Sequence, residues 1–246
     1  MSIGLRRYGW GLMSVLAALG VLQLLSTFLV AQNPEIQQRL AEMKENSAKN
    51  KQSLATYTWQ EQDTISLKGE VKKQEQFQVR MGPDGKPQKT PLNPSQPQEP
   101  PQQAGGRGGR LKEHVVEKKK EEYKEYAEKI AALAHSYAPP DHEKLQEAFK
   151  QGNIKLGAGA TPDQVQLVIT SYLKPNDSMT IILNKEQKAL QSVQIASYMD
   201  SPSDAVKIDV QFSKLADGTN HIATMTVEGV SKQLKVDVQN SNYNKM

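Results

Sequence analysis

The chain has 246 residues, 37% hydrophobic and 24% charged, with no cysteine, a formal charge of +4 and a mean hydropathy of −0.63. That length allows one ordinary domain, or one domain with appendages. The composition excludes a disulfide-stapled mini-protein, a cysteine-based zinc or iron–sulfur site and a polytopic membrane protein, because the one long apolar run is Trp10 to Ala31.

Arg6 and Arg7 precede that run, and Ala31 hands over to the polar Gln32-Asn33-Pro34. Residues 1–31 therefore read as a Sec-type signal peptide, with cleavage after Ala31 placing Ala at −1 and Leu29 at −3. An uncleaved anchor is the alternative, since about 20 apolar residues suffice to cross a bilayer and the basic flank would hold the N-terminus in the cytoplasm. Either outcome puts the rest of the chain in the periplasm or otherwise outside the cytoplasm, and membrane association is then transient or runs through this segment. No cysteine follows the run, so a lipobox is excluded.

Without Arg6 and Arg7 the balance is 29 Lys and Arg against 27 Asp and Glu, so the basic pI is not a nucleic-acid signal. The last arginine is Arg110, which leaves any anion site in the C-terminal half to lysine or backbone donors. Gly105-Gly106-Arg107-Gly108-Gly109-Arg110 is a single RGG-like copy and reads as a flexible joint.

Residues 32–81 open the folded part. Ile36, Leu40 and Met43 recur at four and three among charged neighbours, which predicts a surface helix from Glu35 to Lys51. Tyr57 to Leu67 and Val71 to Met81 read as two strands of a hairpin around Gly69. A three-residue connection, Lys68-Gly69-Glu70, opposes Leu67 with Val71, Trp59 with Val79 and Tyr57 with Met81. The same register sets Asp63 against Glu75, a repulsion that a bulge or a wet strand tip must relieve.

Residues 82–110 hold seven Pro and six Gly and read as a loop too poor in apolar side chains to fold alone. Residues 111–152 read as a charged helical hairpin. Tyr123, Tyr126, Ile130, Leu133 and Tyr137 form its stripe, Pro139-Pro140 ends the first helix, and Leu145, Ala148 and Phe149 mark the second. Over 153–246 the period falls to two, with strands expected at 164–173, 178–184, 189–199, 205–213, 220–228 and 233–239. Their connections are short, which makes neighbours antiparallel. Val206, Ile208, Val210 and Phe212 on one face, against Lys207, Asp209, Gln211 and Ser213 on the other, predict one buried and one wet face. The fold class is therefore α+β.

Ser53-Leu54-Ala55-Thr56-Tyr57-Thr58-Trp59, Ser178 to Lys185 with Ala189 to Ile195, and Asp204 to Phe212 give the chain a layout that resembles the bacterial lipoprotein-localisation-factor (LolA-type) family of outer-membrane lipoprotein-sorting proteins. The resemblance covers roughly residues 33 to 81 and 153 to 242 and extends to uncharacterised exported envelope proteins. It implies a curved antiparallel sheet, an incomplete β-barrel, with an N-terminal helix and here an inserted helical hairpin, whose concave apolar face holds acyl chains or a partner segment. The charged insertion and the Pro/Gly-rich loop depart from that pattern, so no cargo and no functional residue carry over.

Catalytic and metal motifs are missing from the sequence. His114, His135, His142 and His221 form neither HExxH nor an H-x3-H pair and read as surface histidines, without a metal. Asp200, Ser201, Ser203 and Asp204 lack the glycine and glutamate of an EF-hand and read as a turn. Glu121, Glu122 and Glu125 alternate with lysines on a solvated helix, and neither GxSxG nor GxxxxGK[ST] occurs. Asn176-Asp177-Ser178 is a glycosylation sequon of the kind that arises by chance. The expectation is a non-enzymatic cell-envelope protein, without cofactor, that binds a lipid-like or peptide-like amphiphile. Its partners would be a lipid, a lipoprotein or an envelope protein. Tyr57, Trp59, Phe77, Val79, Val193, Ile195, Val206, Ile208, Val210 and Phe212 would line the apolar face. A plain packed core reads equally well from the same alternation. In a third reading the domain is an interaction, sensor or scaffold module that presents Tyr123, Tyr126 and Tyr137 to a partner helix.

Overall fold

A computed structural model describes residues 49–92, 109–137, 147–148, 151–187 and 189–246. The expected signal or anchor segment, the part of the expected surface helix before residue 49 and most of the expected second limb of the helical hairpin lie outside the described residues. Residues 49–54 are helical (α1), and Gly109–Ser136 form the long helix α2, about 42 Å from end to end at the α-helical rise.

Among the described residues, ten strands make one sheet: β1 (Tyr57–Leu67), β2 (Glu70–Met81), β3 (Pro87–Pro91), β4 (Ile154–Ala158), β5 (Gln164–Thr170), β6 (Ser178–Asn184), β7 (Ala189–Tyr198), β8 (Ala205–Lys214), β9 (Asn220–Gly229) and β10 (Leu234–Lys245). Their order is β3-β2-β1-β10-β9-β8-β7-β6-β5-β4, every pair antiparallel. All neighbours but one are consecutive in sequence. The exception, β1 against β10, joins the two ends of the sheet domain, from Thr58 opposite Asn244 to Leu67 opposite Leu234. The sheet does not close into a barrel, and β3 and β4 are its edges.

Three details differ from the sequence reading. The β1–β2 connection has two residues, Lys68 and Gly69, both at positive φ (54° and 80°), the conformation that suits the right-handed twist of a hairpin. Leu67 therefore faces Glu70, and a register shift between Ile65 and Ser66 restores the expected pairing from Ile65 with Lys73 through Trp59 with Val79. Pro87–Pro91, inside the expected loop, is edge strand β3; its prolines stand opposite Met81 and Phe77 at the two ends, where an edge strand tolerates the missing N–H. Finally, β4 lies before the first strand expected after the helices, and β10 runs to Lys245 rather than 239.

One face of the sheet is apolar across the strands from β5 to β10, with half-buried Ile65 and Leu67 of β1 packed against it. Leu167, Ile169, Met179, Ile181, Val193, Ile195, Val206, Ile208, Val210, Met225, Val227, Leu234, Val236 and Val238 are buried on it. Helix α2 lies against this face with Tyr126, Ala127, Ile130, Leu133 and Ala134, and Tyr137 follows its last turn. Gly229 lets the helix approach closely: a Cβ there would come within 2.5 Å of Ile130 Cδ1 and 2.6 Å of Tyr126 Cε1. Two tyrosines pin the helix to the turns at one end of the sheet. Tyr126 donates to Asp204 in the β7–β8 turn, beside Ser231 of the β9–β10 turn, and Tyr137 donates to Asp177 in the β5–β6 turn and meets Ser197 of β7.

Candidate functional site

Alternation along β1 puts Tyr57, Trp59, Glu61, Asp63, Ile65 and Leu67 on the inward face, so two carboxylates enter a largely apolar surface. They split the residues expected to line a single apolar face. Val193, Ile195, Val206, Ile208 and Val210, with half-buried Phe212 against them, belong to the main core under α2. Trp59, Phe77 and Val79 form a second cluster with Met81 and Tyr243. Tyr57 is buried beside it, donating to Asp217 at 2.6 Å.

Between the clusters sits a charge triad. Glu61 and Asp63 are 5% and 9% exposed, and the Lys89 side chain reaches them from β3. Lys89 Nζ makes a short ion pair with Glu61, lies 3.6 Å from Asp63 Oδ2 and sits 5.4 Å over the Phe77 ring. Asp63 does face Glu75, and the repulsion is relieved by lysines, with Lys73 2.8 Å from Glu75 and Lys89 between the two buried carboxylates. Among the described residues, Asp63 Oδ1 is buried without a hydrogen-bond donor, and the neighbouring Glu61 carboxyl supplies one when it is protonated.

Burial drives both carboxyls up, Lys89 opposing it, and Glu61 reaches about 7. Two carboxyls face one ammonium in a low-dielectric surface, so full ionisation of both leaves an unbalanced negative charge there, and burial favours the protonated form. An aromatic wall flanks the triad: Trp59 stacks on Tyr243 at 5.5 Å and donates from Nε1 to Asn240 Oδ1 at 3.0 Å, while Tyr243 lies 4.2 Å from His221. His221, read from sequence as a surface residue, is buried, and burial lowers its pKa and favours the neutral imidazole.

The tyrosines assigned to a partner helix point elsewhere. Tyr126 and Tyr137 are buried and hydrogen-bonded to sheet turns, because the stripe they form is the one that packs α2 on its own sheet. Tyr123 is half-buried beside the β1–β2 turn. Period-two alternation from Trp59 to Ile65 places Glu61 and Asp63 inward, a signal in the sequence for the two carboxylates of the triad but not for Lys89. The sequence reading missed the triad and also Asp177, whose role as a turn centre lay behind the sequon pattern.

No protein-family model matches the chain, and no curated protein matches it. Among solved structures, the chain is similar to a DUF1329 family protein from Desulfovibrio piger, at 13% identity and a TM-score of 0.42, over 85% of this chain and 90% of that one.

Proposed function

We propose that this is a non-enzymatic cell-envelope protein that holds an amphiphile, its apolar portion lying on the inward face of the sheet. The observation that carries the reading is the breadth of that face: apolar residues from Ile169 in β5 to Val79 in β2 share one side of an open sheet. The Arg6-Arg7 flank and the apolar run behind it support export. The polar triad sets the aromatic cluster around Trp59 apart from the main core, so the face carries regions of distinct chemistry, as an amphiphile requires.

A carrier keeps its apolar face incompletely filled, whereas a plain core leaves few voids larger than a water molecule. Folded protein purified from an envelope fraction should therefore take up an apolar fluorescent dye with its circular dichroism unchanged, and mass spectrometry should find co-purified lipid. Dye exclusion together with lipid-free protein would overturn the reading. Export is checked separately by N-terminal sequencing, expected to begin at Gln32 or to show an intact anchored chain in the membrane fraction.

A further inference from the structure

We infer that the amphiphile carries an anionic headgroup, bound in a lysine-lined groove where α2 meets the β1–β2 turn; this rests on the amphiphile reading above. The groove has a volume of about 280 Å³. Leu67 and Tyr123 contribute its less exposed lining, and Lys68, Lys119 and Lys232 bring cations from three separate elements. Among the described residues none of these three lysines forms a salt bridge, while the fourth lysine of the groove, Lys72, is paired with Glu70. Glu122 is the remaining acidic residue there, so positive charge dominates.

The location links the groove to the apolar face. Leu67 lines the groove and also packs against the main core, so a chain leaving a headgroup in the groove meets Leu67 and then the sheet. Two hairpin tips are held together here by the Lys68 N–H donating to the Gln233 carbonyl at 2.8 Å, which brings the Lys68 and Lys232 turns side by side. Val71 and Val230, 61% and 39% exposed, sit at the same tips and give the rim apolar as well as cationic character. Several mobile lysine ammoniums suit a phosphate-type anion, which they neutralise as point charges without the fixed geometry of arginine.

The test is calorimetric titration of the full-length protein with dodecyl phosphate and with dodecyl maltoside, both below their micelle thresholds, and with inorganic phosphate alone. The phosphate amphiphile should bind about tenfold more tightly than the neutral one, and K119Q/K232Q should lose that advantage while binding dodecyl maltoside as before. Raising salt from about 0.1 M to about 1 M, which cuts the Debye length from about 10 Å to about 3 Å, should erase the same advantage. Equal affinity for the two amphiphiles in the wild type would overturn the headgroup site and leave the amphiphile reading standing. Binding of neither would overturn that reading and this one with it. Inorganic phosphate binding as tightly as dodecyl phosphate would also overturn the inference, since the groove would then be a site for the free anion.

Discussion

Two buried acidic sites lie on the same sheet and are built in opposite ways. Asp177, with no exposed surface, stands in the β5–β6 turn and accepts from the Tyr172, Leu173 and Lys174 N–H groups at 2.6, 2.8 and 2.8 Å and from the Tyr137 hydroxyl at 2.7 Å. Glu61 and Asp63, nearly as buried, converge on the Lys89 ammonium, and among the described residues one Asp63 oxygen has no donor. Burial is thus tolerated in both places, but for different reasons. Convergent neutral donors make the first carboxylate a structural pin. The second site depends on one lysine and one proton, so its charge state responds to solution conditions.

The strongest way to break this contrast is Lys89→Met. It should destabilise the domain by about 3–5 kcal/mol at pH 8, because it strips the counter-charge from two buried carboxylates. At pH 5 the loss should shrink, as Glu61 then takes up a proton. Denaturant unfolding at the two pH values measures both, and a loss under about 1 kcal/mol at pH 8 would mean that solvent already neutralises the cluster.

Asp177→Asn should cost about 2–3 kcal/mol. Asparagine keeps one acceptor oxygen but turns an NH2 group toward N–H donors, leaving at least one of them facing a donor instead of an acceptor. Hydrogen exchange should show the loss first at Tyr172, Leu173 and Lys174. Full protection of these amides in the variant would mean that the turn is held by backbone geometry alone.

Glu61 sharpens the comparison through pH. In the folded chain its carboxyl titrates at about 7, against 4.5 for an unburied glutamate, so between those values the folded state binds more protons than the unfolded one. Its contribution to stability is therefore full below about 4.5 and is lost as pH rises through 7. The raised pKa of Asp63 acts in the same sense. Wild-type stability should fall by on the order of 2 kcal/mol across that window from this group, and Glu61→Gln should flatten the slope. An unchanged slope in the variant would assign the titration to another group.

The parts of the fold that sequence made legible are those where one physical signal acted alone. Val206, Ile208, Val210 and Phe212 alternate without interruption, and β8 follows them. The Tyr126 to Tyr137 stripe predicted a helix but not its partner, because an amphipathic stripe says that something is covered without saying by what. Strand β3 was hidden by Pro87 and Pro91, residues that argue against a strand unless it lies at an edge, and edge position is a property of the whole sheet. With β3 hidden, Lys89 could not be placed beside Glu61. Near the end of β10, Asn240 and Asn244 carry no strand propensity and are held by pairing with β1. The triad was half legible: its two carboxylates follow from alternation in β1, while its cation required a contact across the edge of the sheet.

The smallest expected effect separates the two helix pins. Tyr126 is pushed up to about 12 by burial and by the Asp204 carboxylate its hydroxyl faces, so it remains a donor throughout the neutral range. Tyr126→Phe keeps the ring against Gly229 and removes one hydrogen bond, while Asp204, half-buried, retains the Ser231 hydroxyl and access to water. The cost should be about 1 kcal/mol, the net worth of one such bond. Tyr137→Phe takes a donor from Asp177, which has no exposed surface on which water could replace it, and should cost about twice as much. Thermal unfolding of the two variants measures the ratio. Equal losses would show that solvent reaches both carboxylates alike, and that the pin at Asp177 is no drier than the turn at Asp204.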